Sequence, residues 1–236
     1  MRRSFSTNEF YHLFNRGVDK RKILLNKSDY IRFIHDLYEF NDVNPAIQFS
    51  RLSMSNTGSN VGSRVSNIKT REILVNLYAF VLMPNHHHLL AQQLKEKGIS
   101  LFMRKLHAGY TNAFNLKYER SGHLFQGSFK DVYVKNDLQL AHLICYIHSN
   151  PLDLWKPGWK EKRLTRSEIK EALKFLENYR WSSHLDYLGI KNFPSITERS
   201  FLREFFEETG GYRKFFIDWL EQYEGKIGDV QHFILE

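Results

Sequence analysis

The stretch from Ile73 to Gln92 constrains the fold of this chain more than any other. It is largely apolar and is broken once, at Pro84-Asn85, so it reads as two strands joined by a two-residue turn. In this reading Ile73 to Met83 is the first strand, with Leu77, Ala79 and Val81 on one face, and His86 to Gln92 runs back beside it. The returning strand opens on three histidines, His86-His87-His88. Side chains alternate along a strand, so His86 and His88 share one face and His87 takes the other. Two imidazoles two residues apart on a stiff strand form a pre-organised pair of metal donors.

The flanking patterns place this hairpin in a larger unit. Phe10 to Asn15 is rich in aromatic residues and reads as a strand stopped by Arg16-Gly17. Ser28 to Phe40 has helical periodicity, with Ser28 as its expected N-cap. Ser50 to Thr70 is Ser-, Asn- and Gly-rich without a period, and is expected to be a mobile insertion because strand patterns resume directly after it. Ile99 to Lys117 is a basic amphipathic helix, Gln126 to Val134 a fourth strand, and Leu138 to Asn150 a helix that Pro151 helps to end. The order βαββαβ predicts an α+β fold, a ferredoxin-like (RRM-like) antiparallel sheet with helices on one face. After Trp155 come Ser167 to Tyr179 and a helical pair about Gly210-Gly211. The expected division is therefore a sheet domain over 1–155 and a helical C-terminal extension over 156–236.

Charge narrows the partners. The formal net charge is +8. From Ile196 onward 5 Lys/Arg face 9 Asp/Glu, which leaves 29 against 17, a net +12, in the part before. Such an excess favours a polyanion. The one cysteine, Cys145, excludes an internal disulfide and a Cys-rich zinc site. With no apolar run of membrane-spanning length and no signal-peptide core after Met1-Arg2-Arg3-Ser4, a soluble cytoplasmic protein is expected.

A second segment, Tyr146-Ile147-His148-Ser149-Asn150-Pro151, completes the chemistry. On a helix Tyr146 and Asn150 lie one turn apart on one stripe. A free phenol, with a pKa near 10, is a poor nucleophile at neutral pH. A divalent cation on the phosphate oxygens would offset the negative charge of a phosphodiester under attack. A covalent phosphotyrosine would conserve the bond energy, so rejoining would need no ATP. Taken singly, each residue has a plainer reading: Tyr146 as a core aromatic, Asn150 as a helix end, His142 and His148 as surface or supporting groups.

Together these segments resemble a known family. Pro84-Asn85-His86-His87-His88 is similar to the His-hydrophobic-His motif of the HUH single-strand DNA endonucleases. Tyr78 to Met83 and Tyr146 to Pro151 resemble the single-tyrosine transposases, in particular their REP-associated branch. Asn15-Arg16-Gly17, Leu124-Phe125-Gln126-Gly127-Ser128-Phe129, Tyr179-Arg180-Trp181-Ser182-Ser183 and Tyr212-Arg213-Lys214-Phe215 match that branch too. The resemblance implies nicking and rejoining of single-stranded DNA beside a hairpin, with Tyr146 as nucleophile and His86, His88 and Asn150 as ligands of Mg²⁺ or Mn²⁺. It leaves homodimer and monomer both open. The middle position is normally apolar in that family and is His87 here, either a neutral core imidazole or an alternative ligand if the strand slips.

DNA contacts are expected from Arg104, Lys105, Arg120 and Lys130, with Lys117 and Lys135 nearby, through release of counter-ions. Phe125, Phe129 and Tyr133 are candidates for stacking on bases, and Asn15, Arg16 and Gln126 follow from the resemblance. Two rival readings remain: an RRM-like nucleic-acid-binding module without cleavage, and a zinc hydrolase that uses the three histidines.

Overall fold

The structure, a computed structural model, describes residues 4–45 and 71–223. The expected mobile insertion over 50–70 lies outside the described residues. Four strands, β1 (Phe10–Arg16), β2 (Val75–Met83), β3 (His86–Gln93) and β4 (Lys130–Val134), form one antiparallel sheet in the order β2-β3-β1-β4. Helices α1 (Lys27–Glu39) and α2 (Gly98–Lys117) connect them, and α3 (Asp137–Ser149) follows β4. This is the ferredoxin-like arrangement expected from the element order.

The sheet has two covered faces. Leu13, Phe80, Leu82 and Leu89 meet Phe33 and Leu37 of α1 and Phe102 and Leu106 of α2, so the two connecting helices share one face. On the other face Ala79, Val81 and Leu90 meet Leu140, Ile144 and Ile147 of α3. The chain beyond α3 forms α4 (Leu152–Trp155), α5 (Arg166–Asn178), α6 (His184–Tyr187), α7 (Ser200–Glu208) and α8 (Tyr212–Gln222). Phe216, Trp219 and Leu220 of α8 join the same apolar cluster as α3. The residues between α5 and α6 run along β2, with Leu82 N–H donating to Trp181 O at 2.9 Å and Ser183 N–H to Phe80 O at 3.1 Å. They satisfy an edge that would otherwise present open backbone groups. Among the described residues no helix is long and apolar enough to cross a membrane.

Three local details depart from the sequence reading. Leu77 pairs with Ala91 but Ala79 with Leu90, so Tyr78 is the extra residue of a β-bulge. The bulge moves Leu77 to the α1/α2 face while Ala79 and Val81 stay on the α3 face. The N-cap of α1 is Asn26, not Ser28: its side chain accepts from Ser28 N–H, and Asp29 closes a capping box. The fourth strand starts at Lys130 rather than Gln126, because Gly127 turns the chain with φ 67° and Phe125 bridges to Gly17 instead.

Asp29 ties α1 to α2. Its buried carboxylate accepts from Leu25 N–H at 2.8 Å, Asn26 N–H at 3.1 Å, Tyr118 Oη–H at 2.8 Å and Lys117 Nζ at 2.5 Å. Burial opposes its charge, yet Lys117, Tyr118 and the two backbone donors outweigh burial and hold its pKa below the usual value. A depressed carboxylate stabilises the fold fully above its unfolded pKa, near 4, and that contribution is lost as pH falls through the folded value. Asp29→Ala is therefore expected to lower unfolding free energy by about 1–3 kcal/mol at pH 7. Urea denaturation should show the difference from wild type shrinking below about pH 4.

Candidate active site

The pairing of β1 with β3 sets Phe14 opposite His88 and Arg16 opposite His86, with His12 one step along the same face. His86 and His88 therefore look toward α3, and His87 toward α2. The Pro84-Asn85 turn fixes the first imidazole. Asn85 Nδ2 donates to Lys20 O at 3.3 Å, so its Oδ1 is the atom 2.7 Å from His86 Nδ1. That oxygen can only accept, which places the proton on His86 Nδ1 and the lone pair on Nε2. His88 Nδ1 lies 2.8 Å from His12 Nε2, with the two rings stacked at 5.0 Å. Burial, then the neighbouring His88, pushes the His12 pKa well below the usual value, so His12 is neutral.

Helix α3 delivers the second half of the site. Tyr146 meets His88 edge-on at 5.7 Å between ring centroids and His12 at 6.1 Å, and has no exposed surface. One turn on, Asn150 Nδ2 donates to Tyr146 O at 2.7 Å. Its Oδ1 is buried and has no hydrogen-bond partner among the described residues. An orphaned amide oxygen is costly unless something accepts its lone pairs. An amide oxygen and two imidazole nitrogens are donors of kinds that a divalent cation accepts. Among the described residues no group of three His, Cys, Asp or Glu side chains could hold a metal ion, so a metal site here would depend on the Asn150 amide. Lys160 Nζ lies 5.4 Å from the Tyr146 ring centroid and pairs with Asp153 at 2.9 Å.

Beside the imidazoles a cleft of about 360 Å³ is lined by Asn15, Arg16, Lys20, His86, His88, Gln126 and Lys130, among others. Arg16 Nε donates to Gln126 Oε1 at 2.6 Å, and Asn15 Nδ2 to Gly127 O at 3.2 Å. Gly17 lets β1 end here, since a Cβ at that position would collide with Arg21 O. Four expected DNA-contact residues, Asn15, Arg16, Gln126 and Lys130, are thus brought together. The other four lie elsewhere. Arg104 is exposed on α2 and Lys105 donates to Asp42 O and Asn44 O. The Arg120 guanidinium sits over Phe114, and Phe125 is buried against the His107 ring at 4.2 Å. A larger groove, about 690 Å³, lies between the 189–199 loop and α7 and contains none of these residues.

His87 is fully buried between Phe33 and Phe125, its Nε2 3.3 Å from His107 Nε2. Burial, then His107 and the other histidines, holds its pKa far below normal, so it is a neutral core imidazole. His148 packs behind the site. Its Nδ1 lies 2.7 Å from Tyr212 Oη and its Nε2 2.7 Å from Ser183 Oγ, and Tyr212 Oη also meets His184 Nδ1 at 2.7 Å. The sequence reading missed His12, Lys20 and Lys160. The alternation Phe10, His12, Phe14 marks His12 as a same-face neighbour once the β1–β3 pairing is known, whereas Lys160 follows an irregular stretch and carries no such signal.

Comparison with known proteins bears on this arrangement. Residues 56–150 match the family model of the IS200-like transposases. The match runs from before β2 through Tyr146 and Asn150 and bears out the resemblance drawn from the motifs. A solved structure of a REP-associated tyrosine transposase bound to a REP hairpin superposes with a TM-score of 0.51 at 16% identity, covering 85% of this chain and 94% of that one. At that identity the likeness concerns the fold, including the helices after α3. No curated protein matches the chain.

The buried imidazoles predict the acid behaviour. Burial holds His107 at a pKa of about 3, and burial with Arg213 does the same for His184. Unfolding returns each to about 6.5, so the unfolded state binds more protons and stability falls as pH drops from there toward 3. Each group contributes a slope of about 1.4 kcal/mol per pH unit. Denaturant titrations between pH 7 and 4 should show this decline in wild type, and His107→Phe should remove one proton's share of the slope.

Proposed function

We propose that this chain is a metal-dependent tyrosine transposase that nicks and rejoins single-stranded DNA through a 5′-phosphotyrosine. The observation that carries the reading is the placement of Tyr146 against His88, with the orphaned Asn150 oxygen one helical turn away. His86 Nε2, His88 Nε2 and Asn150 Oδ1 would hold Mg²⁺ or Mn²⁺, which would supply charge neutralisation on the scissile phosphate. Tyr146 Oη attacks the phosphorus, the bond to the 3′ oxygen breaks, and the strand leaves with a 3′-hydroxyl. The reverse attack by a 3′-hydroxyl rejoins DNA and frees the tyrosine.

The remaining side chains act on charge and position. Arg16, Lys20 and Lys130 line the cleft where the DNA backbone enters and favour it through counter-ion release. Lys160 places a cation beside the nucleophile, where the phosphate charge gathers. Because Tyr146 has no exposed surface, entry of the DNA displaces part of its cover. The substrate proposed is single-stranded DNA next to a hairpin, in keeping with the REP hairpin bound by the structural relative. The protein acts in the cytoplasm, where the buried Cys145 thiol stays reduced.

The full burial of Tyr146 favours one other reading, an RRM-like module that binds nucleic acid without cutting it. Labelled single-stranded hairpin DNA from the gene's flanks, incubated with Mg²⁺ or Mn²⁺ and run on a denaturing gel, separates the two. A slow, protease-sensitive adduct that is absent in Tyr146→Phe is the expected result. Binding without an adduct supports the module, and cleavage that survives Tyr146→Phe points to water as nucleophile. In the same assay Lys160→Met is expected to slow adduct formation by roughly tenfold, the effect of losing about 1.4 kcal/mol of transition-state stabilisation, with DNA affinity little changed.

A further inference from the structure

The two strand imidazoles are held in different ways. His86 Nδ1 faces an amide oxygen, an acceptor whose identity the Lys20 contact fixes. His88 Nδ1 faces another imidazole, His12 Nε2, at 2.8 Å, and either ring of such a pair can supply the shared proton. If His12 supplied it, His88 would carry its own proton on Nε2, directed at the cleft. If His88 supplies it, the Nε2 lone pair faces the cleft instead. The cleft decides between them. Its walls carry Arg16, Lys20 and Lys130, and a lone pair is favoured over an N–H dipole in that positive field.

We propose that His12 is a positioning residue: it accepts a hydrogen bond from His88 Nδ1 and so presents the His88 Nε2 lone pair as a donor for a divalent cation. The inference rests on reading the cleft as a metal site. His12 suits the task because it cannot turn. It is fully buried, stacked on Phe14 at 4.8 Å and on His88 at 5.0 Å, with the Tyr146 ring edge-on at 6.1 Å. Groups that support a metal-binding imidazole through its other nitrogen set its tautomer and ring orientation, and their loss typically weakens metal binding by 10–100-fold. His12 is not itself part of the donor set, since its Nε2 is directed at His88 and not at the cleft.

Two measurements test this. In metal-free wild type, ¹⁵N spectra of the imidazoles are expected to show His88 with a protonated, pyrrole-type Nδ1 and a bare, pyridine-type Nε2. The opposite assignment overturns the proposal without any metal being added. Titration with Mn²⁺, followed by its electron paramagnetic resonance, is the second. His12→Phe keeps the ring stack and removes the acceptor, and is expected to weaken Mn²⁺ binding by roughly 10–100-fold. His12→Gln sets an amide oxygen near the position of Nε2 and is expected to recover most of that loss, with thermal melts confirming that both variants fold. Unchanged affinity in His12→Phe, or a His12→Gln variant as weak as His12→Phe, refutes the role of His12. Wild type that binds no Mn²⁺ refutes the metal reading itself, and the nitrogen assignment then decides the tautomer alone.

Discussion

The antiparallel pairing of β1 with β3 is the constraint on which the rest of the structure depends. It fixes which face each histidine takes, which residues of β1 stand beside them, and where the cleft opens at the end of both strands. A slip of one residue would exchange His87 for His86 and His88 and turn the donor pair into the core. Both flanks of the pairing prevent that slip. On one side the Pro84-Asn85 turn closes the hairpin with Met83 opposite His86, and Pro84 O accepts from Ile23 and Leu24 N–H. On the other, burial of His87 against Phe33 and Phe125 makes the displaced register cost a buried aromatic contact.

Polarity in the site follows from hydrogen bonds that determine each donor atom. The amides of Asn85 and Asn150 each spend their N–H on a backbone carbonyl, Lys20 O and Tyr146 O. That leaves one oxygen to orient His86 and the other, one helical turn from Tyr146, with no hydrogen-bond partner among the described residues. In the proposed site, Arg16, Lys20 and Lys130 would take phosphate and the lone pairs would take a divalent ion. Two such ligands of opposite charge would stabilise each other.

Much of this was legible in the residues. The hairpin, the shared face of His86 and His88, and the Tyr146/Asn150 stripe follow from periods of 2 and 3.6 within short segments, where local geometry dominates. What was not legible depends on contacts across the fold. The bulge at Tyr78 inserts one residue without any glycine to mark it, so the alternation read through Leu77 fails there. Gln126 to Phe129 has strand-like composition, but Gly127 turns it across the end of β1. Lys105 and Phe125 look like surface groups on a basic, aromatic stretch, yet each is spent inside the protein, one on carbonyls after α1 and the other on His107. Charge and aromaticity identify what a residue can do, and only the pairing of distant elements identifies what it faces.

The helices after α3 are best understood through the same logic of fixed positions. Tyr146 and Asn150 sit at the end of α3, where a helix frays unless something holds it. Here Tyr212 of α8 bonds both His148 and His184, and Ser183, held on β2 through Phe80 N–H at 3.0 Å, bonds His148 from the other side. The chain from sheet to extension and back to α3 is closed by buried polar contacts, and breaking one partner would leave the others unsatisfied. That closure keeps Tyr146 in register with the imidazoles on β3, so every side chain of the proposed centre comes from one chain. Lys160, which lies 5.4 Å from the Tyr146 ring, makes none of these contacts and pairs instead with Asp153.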